Sequence, residues 1–77
     1  MPRIPATVTL PFGYRITIKQ TDSIHVDCDG MWDVDTRTIT IRKALPLKRR
    51  VYILGHELGH AWLDWQHEYL DSDEAKP

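Results

Sequence analysis

The chain has 77 residues, with ten Lys or Arg against eleven Asp or Glu and a net charge of −1. That length holds one small domain, 1–77, whose folding buries only about 60% of its unfolded surface, so a bound metal would add usefully to a marginal core. The near-neutral balance selects no polyanionic partner, 42% hydrophobic residues speak against a disordered chain, and a single cysteine, Cys28, excludes an intrachain disulfide.

Residues 1–12 contain three prolines and no apolar run, so no signal peptide is expected. No segment is long and apolar enough for a membrane span. Together with the lone thiol, which suits a reducing compartment, this predicts a soluble, cytoplasmic protein with no membrane partner.

Residues 1–45 read as β-rich. Val8 and Leu10 alternate with Thr7 and Thr9, and Tyr14, Ile16 and Ile18 alternate with Arg15, Thr17 and Lys19. Pro11-Phe12-Gly13 between them suits a turn. Ile24, Val26 and Cys28 form a third alternating run, and Asp29-Gly30 is a tight-turn signal. Trp32 and Val34 are expected to pair with Ile39 and Ile41 across Asp35-Thr36-Arg37. Asp27, Asp29, Asp33 and Asp35 do not form a calcium loop: Trp32 stands where the loop needs Gly, and the closing Glu is missing. They read as turn residues, and His25 as solvent-facing. The strand Thr38 to Arg42 is expected at the sheet edge, where an extended peptide could add to it.

A basic group follows, comprising Arg42, Lys43, Lys48, Arg49 and Arg50. It precedes and enters a predicted helix, while acidic residues crowd the other end, which opposes the helix dipole. A solvated face is the favoured account; no nucleic-acid motif is present, and nucleic acid is not an expected partner.

Residues 46 to about 65 read as a helix, running on to 69, with 70–77 as a tail. Pro46 fits the first helical position. Val51, Leu54, Leu58, Ala61, Trp62, Trp65 and Tyr69 recur at steps of three and four, as one apolar stripe. Trp32, Trp62 and Trp65 are read as core residues. Gly59, costing about 1 kcal/mol against Ala in a helix, suggests that another element approaches closely there. The fold class is therefore α+β: a small antiparallel sheet of three to five strands, followed by one long helix packed on it.

His56 and His60 fall almost opposite the apolar stripe, at the two ends of the segment His56, Glu57, Leu58, Gly59, His60. Two His at i and i+4 share a face and can meet at one zinc ion. The carboxylate between them, Glu57, can act as general base toward a metal-activated water. Chance would place this pattern in about one shuffled sequence in a hundred, and the predicted helix around it raises its specificity. Ile53 and Leu63 flank the histidines and are expected to wall them from water. Tyr69, Tyr52 and Arg49 are candidate oxyanion stabilisers.

The stretch from Gly30 to Asp64 resembles the core of zincin metallopeptidases. It is most similar to small phage and bacterial proteins of the ImmA/IrrE type, which have an R-x-I-x-I strand (here Arg37, Ile39, Ile41), a basic linker and a helix reading H-E-L-G-H. The resemblance implies Zn2+ bound by His56 and His60, Glu57 as catalytic base, and peptide or protein substrates. Members usually supply a later Glu as third ligand, and only 17 residues follow His60. The metzincin spacing is also absent, since Leu63 and Gln66 occupy its Gly and His positions. His67 is the first candidate for the third ligand, though it lies about 10 Å along a straight helix from His60. Glu68 and Glu74 follow, and Asp64 is better placed to accept from an imidazole N–H. The expected function is zinc-dependent peptide hydrolysis; the alternative is a non-catalytic, zinc-stabilised regulatory module.

Overall fold

The computed structural model describes residues 3–71. Four strands precede one long helix: β1 (Thr7–Leu10), β2 (Tyr14–Thr21), β3 (Gly30–Asp33), β4 (Thr38–Arg42) and α1 (Leu47–Gln66). The α+β arrangement is as expected. The sheet, however, is not wholly antiparallel. Its order is β1-β2-β4-β3, with β1/β2 and β4/β3 antiparallel and β2/β4 parallel.

Burial explains this order. Tyr14, Ile16 and Ile18 on β2 and Ile39 and Ile41 on β4 alternate with more exposed residues and point into the core. The two strands richest in inward β-branched and aromatic side chains therefore occupy the centre. The short β3, with Trp32 half-buried and Met31 exposed, takes the edge. The expectation that Thr38–Arg42 forms the edge is overturned: β4 is paired on both sides, and the open edge nearest the helix belongs to β3.

The β3–β4 hairpin forms where expected, in the register Trp32↔Ile39 and Gly30↔Ile41. Asp33 Oδ1 accepts from the backbone N–H of Asp35 at 3.0 Å and of Thr36 at 3.4 Å, which bends the chain into the turn. Val34 falls just outside the strand. The predicted strand at Ile24–Cys28 is instead a loop. Both sides of β4 are taken, and one Arg42 nitrogen, Nη2, collects the loop's carbonyls, from His25 at 2.8 Å, Val26 at 3.4 Å and Cys28 at 2.7 Å. Val26 is left 82% exposed.

Pro46 lies one residue earlier than predicted. Its extended ψ of 149° makes it the N-cap, with its carbonyl accepting from Arg50 at 3.0 Å. The helix then runs without a break to Gln66 and passes into a π turn at His67–Asp71. Leu54, Ala61 and Trp65 pack on the sheet, supported by Leu58 and Tyr69. Val51 and Trp62 do not share that burial. Trp62 is 42% exposed and stacks on Trp65 at 4.7 Å. Ile53, read as a wall of the histidine face, is buried in the core, whereas Leu63 is exposed. No described helix is long and apolar enough to cross a membrane.

Gly59 is not the close-approach glycine, because a Cβ there would meet nothing within 4 Å. That role belongs to Gly30, where a Cβ would collide with Ile53 Cγ2 and lie 3.6 Å from Glu57 Cγ. The missing side chain lets β3 lie against the helix beside the motif. Gly30→Ala is expected to destabilise the fold by about 1–3 kcal/mol through overpacking. Thermal unfolding followed by circular dichroism should show a fall of roughly 4–8 °C per kcal/mol; an unchanged midpoint would contradict the contact.

Candidate metal centre

His56 and His60 stand one helical turn apart and are both exposed. Their ring centroids are 5.0 Å apart and the rings are nearly perpendicular, at 74°. The two Nε2 atoms face one another at 3.3 Å. Two nitrogens bound to a tetrahedral zinc at 2.0–2.1 Å stand about 3.3–3.4 Å apart. That spacing fits two imidazoles sharing one zinc ion, and it is equally the spacing of a direct hydrogen bond between the rings. Such a donor set suits zinc, which takes neutral imidazole readily.

Glu57 is half-buried and lines two cavities. One, of about 500 Å³, is lined by Trp32, Glu57, His60, Leu63, Asp64 and His67. The other, of about 340 Å³, brings His56 and Glu57 together with Cys28, Asp29, Arg49 and Tyr52. Glu57 is thus the one residue common to both linings, sharing one cavity with His60 and the other with His56.

The third-ligand candidates are placed differently. His67 lines the same cavity as His60. Among the described residues, however, no group of three His, Cys, Asp or Glu comes together around one point. The physical reason is that helical geometry persists through the cap: His67 has φ −63° and ψ −41°, and its N–H bonds to Asp64 and Leu63 carbonyls. Glu68 turns away to Arg37 at 3.4 Å. Glu74 lies outside the described residues. Asp64 accepts a hydrogen bond from Trp32 Nε1 at 2.6 Å. Nothing in the sequence signalled that contact, which joins positions 32 residues apart.

Of the oxyanion candidates, Tyr52 and Arg49 border the smaller cavity, and the Arg49 guanidinium sits 5.2 Å from the Tyr52 ring centroid. Tyr69 instead joins an aromatic cluster with Phe12, Tyr14 and Trp65. Tyr14 is fully buried, and among the described residues its hydroxyl meets no partner within strict hydrogen-bond geometry, Arg37 being the donor side chain that influences it. Burial pushes its phenol above the ordinary range, partly opposed by Arg37, whose guanidinium lies 3.9 Å over the ring.

The basic group is largely structural. Arg42 organises the 25–29 loop and pairs with Asp29 at 3.4 Å. Arg49 reaches the same carboxylate at 3.8 Å. Arg50 donates to the Leu45 carbonyl at 2.8 Å and to Gln20 at 2.6 Å.

The profile of a peptidase family, described as the IrrE N-terminal-like domain, matches residues 11–76. The chain belongs to that family. No curated protein and no solved structure matches it.

Proposed function

We propose that this IrrE N-terminal-like domain is a zinc-dependent peptidase in which His56 and His60 hold the metal and Glu57 is the general base. The observation that supports this most is the 3.3 Å separation of the two Nε2 atoms. A zinc ion held there would polarise the scissile carbonyl and bring the pKa of a coordinated water toward about 7. Glu57 takes the proton of the attacking water and delivers it to the leaving amine. The open edge of β3 offers main-chain groups to an extended peptide or protein segment. Tyr52 and Arg49, beside Glu57, are placed to meet negative charge on the carbonyl oxygen. His67 is the proposed third ligand, since it shares the cavity of His60; to reach a shared ion the helix would have to unwind near Asp64 and Trp65. The single thiol fits a reducing compartment, and the proposed location is the cytoplasm.

A second reading rests on the gathering of only two ligands among the described residues. In it, zinc stabilises a non-catalytic binding module. An anomalous-scattering map at the zinc edge, on crystals grown with zinc, separates the two. The expected result is one peak about 2.1 Å from both Nε2 atoms, with a position open to water. Four protein ligands would favour the module, and no peak at the pair would overturn both.

A further inference from the structure

The strand edge offered to a substrate needs a fixed distance from the metal-binding face, and β3 is poorly equipped to keep one. It is four residues long and pairs only with β4. At its first residue it meets the helix by close packing, where Gly30 admits Ile53. Two residues on, Trp32 Nε1 donates to Asp64 Oδ2 at 2.6 Å, a short bond with a charged acceptor. Asp64 lies one helical turn beyond His60, and both line the larger cavity with Trp32 and Glu57. The bond thus spans the cleft floor, from the edge strand to the helix that carries the histidines.

We infer that Trp32 and Asp64 are a positioning pair whose hydrogen bond sets the height of the β3 edge above the histidine pair, and with it the affinity for an extended peptide. This rests on the peptidase reading. Neither residue is assigned a part in proton transfer. The Nε2 atom of His60 faces His56, while the bonded carboxylate oxygen of Asp64 faces Trp32. Losing the bond should therefore weaken substrate binding and spare the chemical step.

The test uses the zinc-loaded full chain with fluorescein-labelled casein as an unfolded-protein probe. Trp32→Phe keeps an aromatic ring and removes the donor. It should raise KM by about tenfold or more with kcat little changed. Asp64→Ala should do the same, and Asp64→Asn, which retains an acceptor oxygen, should restore KM to near the wild-type value. In spectra of the metal-free protein, Asp64→Ala should move the indole N–H resonance of Trp32 upfield and leave those of Trp62 and Trp65 in place. A wild-type KM in Trp32→Phe, or a fall in kcat at constant KM, overturns the inference alone. A wild-type chain that binds zinc but cleaves no casein overturns the peptidase reading, and the inference with it.

Discussion

Glu57→Gln lowers peptide turnover by about 10²–10⁴-fold while zinc remains bound, the range general acid–base catalysis contributes. The amide keeps the shape of the carboxylate, so the packing of this half-buried side chain near Gly30 should survive. What it loses is the capacity to accept a proton. Glu57 lines a cavity with each histidine, so in the proposed mechanism the loss affects attack by water and departure of the amine alike. Casein cleavage and zinc content, measured on the same preparation, check the prediction. Full activity with zinc bound would remove Glu57 from the mechanism.

His60→Ala is the second large effect. It leaves His56 alone on a face where the two Nε2 atoms stand 3.3 Å apart. Outer-shell partners of metal ligands typically contribute 10–100-fold to affinity, so deleting a ligand should cost more than about 100-fold. The consequence reaches stability, because a ligand that binds only the folded chain stabilises it by about 2.7 kcal/mol at a hundredfold excess over Kd. In a domain of this size that raises the midpoint by on the order of 10 °C. Thermal unfolding with and without zinc should show the rise in the wild type and its loss in His60→Ala. Equal stabilisation of both proteins would place the metal elsewhere.

Legibility in the sequence followed the range of the interactions. The helix and the β3–β4 hairpin are local patterns of period and turn chemistry, and the structure carries both; the division of the helix into faces holds for Leu54, Ala61 and Trp65 but not for Val51, Ile53 and Trp62. Ile24, Val26 and Cys28 carried the same alternation and misled, because alternation reports a strand only when a neighbour is free to pair. Here β2 and β3 hold both sides of β4, and Arg42 draws the loop carbonyls to itself. The glycine that mattered was also misplaced. Gly59 sits in an open part of the helix surface, and Gly30 makes the close contact, since what a missing Cβ admits depends on the element packed against it.

The sequence by itself determined that His56 and His60 share one helix face with Glu57 between them, because 3.6 residues per turn brings i and i+4 together wherever the helix forms. Only the tertiary structure decided which strand edge faces that helix and which residue bonds Asp64. Those outcomes depend on strand order and on contacts between positions far apart in the chain, such as Trp32 with Asp64 and Arg37 with Glu68. No local period encodes them; competition for burial at the centre of the sheet does.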